Sequence, residues 1–118
     1  MAISIEMDMT IEGYDGPERI LLSYDVGGEA RSKAARVCQM VFGRTRFVGD
    51  PGRFREEKGF IHRPGVVWIG QSVLAMPPRD AEDLRVRLGS LGVRVAVARI
   101  EVSGGALEAF RRPRKAPA

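Results

Sequence analysis

The chain has a single cysteine, Cys38, and a single histidine, His62. One thiol excludes an internal disulfide, and a reducing, cytoplasmic setting is expected. Cys38 falls among apolar helix positions, where a buried structural thiol is expected. One histidine and one cysteine leave no His/Cys set for a zinc site. No apolar run approaches the about 18 residues that a membrane-spanning helix needs. There is no phosphate-binding loop either, since Gly27-Gly28 lacks the spacing and the lysine of one. Lysine itself is scarce, three among 19 basic residues, so positive charge is carried almost entirely by arginine.

What remains is the composition of one globular domain: 118 residues, 44% hydrophobic and 29% charged. The net charge is +4, and its distribution is uneven. Residues 1–30 carry seven acids against one base, and residues 31–63 carry nine bases against three acids. Residues 64–108 balance, and the last ten residues hold four bases and no acid. Such segregation suits an anionic partner on one side of the molecule. Alternatively, the acidic strand and the basic segment face each other inside the fold.

Residues 1–12 alternate Ile3, Ile5, Met7, Met9 and Ile11 with polar and acidic residues, the period of a half-buried strand rather than of a signal or transit peptide. A turn at 13–17 leads to a second strand over 19–26, whose adjacent Ile20, Leu21 and Leu22 mark it as central and covered on both faces. The two are expected to pair as a hairpin. A helix follows over 29–42, with Ala30, Ala34, Val37, Cys38 and Val41 on one face and Gly43 as its stop. Lys33, Arg36 and Met40 line another side of it. Residues 44–64 hold three glycines and two prolines and cannot be helical; short strands at 44–48 and 59–62 are expected around an Asp50-Pro51-Gly52 turn. Residues 66–76 read as one apolar strand, with Gly70 a bulge or a point of close backbone approach. A second helix over 79–91 buries Ala81, Leu84, Leu88 and Leu91, and a last strand spans 93–102. Residues 1–108 thus form one α+β domain, a ferredoxin-like β-α-β-β-α-β sandwich with an extra N-terminal strand and an inserted β-hairpin. Residues 109–118 form a basic, disordered tail.

Candidate functional residues cluster in the insertion. Arg44, Arg46, Arg53, Arg55, Lys58 and Arg63 are interleaved with Phe47, Phe54 and Phe60, and Trp68 is close behind. Arginines pair with phosphates and aromatic faces stack on unpaired bases. Arg111, Arg112, Arg114 and Lys115 add a cationic arm of the kind that grips a phosphate backbone. The alternative for the aromatics is that Phe47, Phe60 and Trp68 pack beneath the hairpin. His62 is expected to be solvated or to face phosphate. The expected function is nucleic-acid binding, to RNA or DNA, without catalysis, cofactor or membrane association, and with Phe54 among the contact residues.

Asp25 ends a central strand before a glycine pair and a helix. A carboxylate there either holds Mg²⁺, or caps the following helix or bonds the turn amides. Tyr24-Asp25-Val26, the bases Arg31, Lys33 and Arg36 on the following helix, Phe42-Gly43-Arg44, and then Gln71-Ser72-Val73-Leu74 together resemble the small CRISPR-associated nucleases of spacer acquisition. The resemblance covers about half the chain. The family lacks the twenty or so residues between Arg44 and the Gln71 strand, and also the leading strand. The resemblance implies a ferredoxin-like fold, a nucleic-acid-binding homodimer, and Asp25 as a metal-binding aspartate, one per subunit near the dimer axis. Two alternatives to a binding module therefore stand: a metal-dependent nuclease with Asp25 as ligand, and an assembly protein that self-associates through the exposed strand at 3–11.

Overall fold

The computed structural model describes residues 17–49 and 52–113. Strand β1 (Glu18–Asp25) leads to helix α1 (Arg31–Phe42) and then to a two-stranded ribbon of β2 (Arg44–Phe47) and β3 (Phe54–Glu57). A 3₁₀ turn at Phe60–His62 precedes β4 (Val67–Gly70), β5 (Val73–Met76), helix α2 (Pro78–Ser90), β6 (Arg94–Glu101) and the short helix α3 (Gly104–Glu108). The fold class is α+β. Four strands form an antiparallel sheet in the order β4-β5-β1-β6, and β2 and β3 form a separate sheet.

Strand β1 sits inside the sheet, as its run of adjacent apolar residues implies. Leu22 pairs with Leu74 of β5 on one side and with Val97 of β6 on the other. Both hydrogen-bonding edges of β1 are therefore taken over residues 20–23; the hairpin expected with residues 1–12 lies outside the described residues. Successive β1 residues serve two cores, because side chains alternate across a sheet. Leu22 and Tyr24 join Val37 and Val41 of α1, Leu74 and Met76 of β5, and Ala81, Leu84 and Leu88 of α2 in the larger core. Leu21 faces the other way, against Val67, Ala75 and Leu107.

Three local expectations change. The segment 66–76 is two strands, not one: Gln71 adopts a positive φ of 47°, the chain reverses, and the Trp68 indole N–H donates to the Gln71 carbonyl at 3.0 Å. This split supplies the hairpin at one edge of the sheet. The ladder slips between Trp68 and Gly70, and the Arg112 side chain lies over Gly70, where a Cβ would meet Arg112 Cδ at 3.3 Å. The second strand of the inserted ribbon is Phe54–Glu57 rather than 59–62. Residues 60–62 form the 3₁₀ turn instead, because Phe60 is buried and His62 Nδ1 accepts the Gly59 amide at 3.0 Å. Cys38 is exposed: the buried stripe of α1 runs through Val37 and Val41, and Cys38 lies beside it.

The tail expected from residue 109 begins with anchored residues. Ser103 Oγ accepts the Ala106 amide and starts α3, whose Leu107 fills the second core. Beyond it, the Arg112 amide donates to the Trp68 carbonyl at 2.9 Å, and Arg111 donates to the Val66 carbonyl while pairing with Glu108. Arg111 and Arg112 are therefore tied along β4, in place of the disordered arm expected of them. The tail residues Arg114 and Lys115 fall outside the described residues.

Candidate nucleic-acid interface

The β2–β3 ribbon follows directly from the end of α1. Gly43 takes a φ of 85°, which a side chain would resist, and its amide closes the helix on the Gln39 carbonyl. Gly59 then returns the chain against Gly43, with no room for a Cβ on either. Backbone contact at these two glycines sets the ribbon's root.

The register sorts the interleaved sequence. Arg44 pairs with Glu57, Thr45 with Glu56, Arg46 with Arg55 and Phe47 with Phe54. Cross-strand partners share a face and neighbours alternate. Arg44, Arg46, Arg55 and Glu57 therefore lie on one face, and Phe54 lies on the other. Phe54 and the arginine that follows it in sequence are thus segregated in space. Phe54 is 61% exposed.

Glu57 organises the basic face. It accepts from Arg44 Nε at 2.9 Å and from Arg46 at 3.0 Å, while Arg44 also donates to Gln39 of α1 at 3.1 Å. The Arg44 hydrogen bond, seconded by Arg46, holds the Glu57 carboxyl below the usual carboxylate range. Exposed pairs like these are screened by solvent, so they matter for placement more than for stability.

At the ribbon's root this face opens into a groove of about 610 Å³ between α1, the ribbon, the 3₁₀ turn and α2. Its cations are Arg36, Arg44, Lys58, Arg63 and Arg87. Arg63 reaches Asp80 and Asp83 at 3.0 Å each and lies 3.8 Å above the Phe60 ring. Arg87 pairs with Asp83 at 2.7 Å, and together with Arg63 it holds that carboxyl low. Arg36 and Lys58 make no ion pair among the described residues. His62 also lines the groove; its Nδ1 accepts from Gly59, so a neutral ring carries its proton on Nε2, as a donor.

The structure thus gathers Arg44, Lys58 and Arg63 in one groove and continues it with Arg46 and Arg55. Arg53 follows at the far end of the ribbon, where its carbonyl accepts from Val48. Arg111 and Arg112 stand apart, on the β4 edge. Phe60 and Trp68 are packed inward, Phe60 in the larger core and Trp68 edge-on to Phe42 with ring centroids 5.0 Å apart. Arg36 and Arg87 are additions. The i, i+3, i+7 side of α1 pointed to Arg36 and Met40, which both line the groove. The four-residue spacing of Asp83 and Arg87 is that of a helical ion pair, but nothing local places it beside the ribbon.

Asp25 is exposed, and its Oδ1 accepts the Gly27 amide at 2.8 Å, the turn-bonding role. Across the sheet its partner position is Arg94. Among the described residues no three His, Cys, Asp or Glu side chains gather into a metal-holding group. No helix of the described residues is long and apolar enough to cross a membrane.

Comparison with protein-family models, with curated proteins and with solved structures finds no match. The site therefore has to be read from its own geometry.

Proposed function

We propose that this protein is a non-catalytic nucleic-acid-binding module that grips phosphates through the ribbon's basic face and the groove at its root. One observation carries this reading. Arg36 and Lys58 in the groove, and Arg53 and Arg55 on the ribbon, are cations without an ion-pair partner among the described residues, on two adjoining surfaces. Around them, carboxylates fix Arg44, Arg46, Arg63 and Arg87 in place. A groove of fixed guanidinium groups, with cations between them that have no ion-pair partner among the described residues, is suited to an extended polyanion. The sheet order β4-β5-β1-β6, with α1 and α2 in one core, supports a ferredoxin-like β-α-β-β-α-β scaffold carrying the ribbon as an insertion.

The experiment is a fluorescence-anisotropy titration of single-stranded and duplex probes across a salt series, with the native protein and with Arg36→Ala plus Lys58→Ala. The expected result is salt-dependent binding. The double variant should bind about tenfold more weakly, with a salt slope reduced by about 2, at close to one unit per phosphate contact. Equal affinity of the two proteins at low salt would sink the proposal.

A further inference from the structure

The ribbon carries a contradiction that folding alone does not explain. Arg46 and Arg55 are direct cross-strand partners. Like charges placed opposite each other destabilise a strand pair, and Glu57 compensates only the Arg46 side. A placement that costs stability in the free protein is relieved when an electron-rich surface lies against that face.

The shape of the ribbon narrows what that surface is. Its strands pack mainly on each other and are fixed to the body at the Gly43–Gly59 root, so the ribbon stands out from the sheet. Two strands about 4.8 Å apart, with side chains, match the roughly 12 Å major groove of B-form DNA, which admits a two-stranded ribbon. The deep, narrow major groove of an RNA duplex does not. Recognition of unpaired bases calls for aromatic rings on the same face as the cations, and here Phe54 lies on the opposite face from Arg55. Arginine forks facing a major groove find their best acceptors in guanine O6 and N7.

We infer that the β2–β3 ribbon enters the major groove of double-stranded DNA with its Arg46–Arg55 face toward guanine edges, while Arg36 and Lys58 at its root hold flanking phosphates. This rests on the nucleic-acid-binding reading and names its substrate class. Arg53, at the ribbon's far end, reaches the next phosphate or base along the groove.

The test uses the full chain and four probes of one sequence: duplex DNA, duplex DNA with 7-deazaguanine in place of guanine, duplex RNA, and single-stranded DNA. Duplex DNA is expected to bind about tenfold tighter than each of the other three. Arg55→Glu should abolish that preference and at the same time raise the melting temperature, because it turns the Arg46 cross-strand pair from repulsive to attractive. Equal or tighter binding of duplex RNA or single strands, or indifference to 7-deazaguanine, overturns this inference and leaves the phosphate-gripping reading standing. No binding of any probe at low salt removes both. A melting temperature lowered by Arg55→Glu removes the argument from the opposed arginines.

Discussion

Gly43 and Gly59 lie backbone against backbone at the root of the β2–β3 ribbon. A Cβ on Gly43 would fall 2.9 Å from the Gly59 nitrogen, and one on Gly59 would overlap the Gly43 nitrogen and the Val41 carbonyl oxygen. Gly59 itself has an ordinary extended backbone, with φ of −103°. Its requirement for glycine is purely steric, and the atoms in the way are main chain that cannot swing aside. Gly59→Ala is therefore expected to cost about 3 kcal/mol, at the upper end for overpacking, read from the urea midpoint. Gly52→Ala on the same ribbon, with φ of 84° and open space around it, is the control. It should cost only the left-handed conformation, about 1 kcal/mol.

The C-terminal residues contribute to the body. Leu107 is 4% exposed in the second core. Leu107→Ala should cost about 2–3 kcal/mol, the lower part of the usual range, because a short helix can settle into the space. Removing residues 109–118 should also lower the urea midpoint, through loss of the Arg112–Trp68 backbone hydrogen bond and the Arg111–Val66 contact. An unchanged midpoint in the truncated chain would show that these contacts do not form in solution.

Cys38 is expected to react with Ellman's reagent in the native protein at close to the rate of a free thiol, since its side chain is exposed. Reaction only after denaturation would place it back in the core.

Asp83 and Tyr24 each contribute to the pH dependence of stability. Arg87, and after it Arg63, holds Asp83 below the usual carboxylate value. A carboxyl whose folded pKa is depressed contributes stability present above its unfolded value, about 3.9, and lost as pH falls through the folded one. Burial pushes the Tyr24 hydroxyl up, so its contribution holds below about pH 10 and is lost as pH rises beyond that. Urea midpoints should therefore show no loss from either group between about pH 5 and 9 and should fall on both sides. Asp83→Asn should flatten the acid limb, and Tyr24→Phe the alkaline limb.

Much of the sheet was legible in the chain because its signals are local. Adjacent Ile20, Leu21 and Leu22 announce a strand covered on both faces, and Leu21 and Leu22 do serve two cores. Ala81, Leu84 and Leu88 announce the buried face of α2 at helical spacing, and Gly43 announces the end of α1. The segment 66–76 was harder. A short apolar run looks the same whether it continues or turns back, and the turn rests on Gln71, a residue with no strong turn signature.

The sequence by itself determined the α+β class, the helix faces and the concentration of arginine between residues 44 and 63, because period and composition are properties of neighbours along the chain. Tertiary structure decided which of those arginines act together. The ribbon's register put Arg55 and Phe54 on opposite faces, and the packing of α1 and α2 around Phe60 brought Arg36 and Arg87 to the groove at its root. Acidic partners on α2 and β3 neutralised Arg63, Arg44 and Arg46, while Arg36, Lys58 and Arg55 have no ion-pair partner among the described residues. Pairing across strands and between helices is set by contacts between residues distant in sequence, and a count of charges along one chain does not contain it.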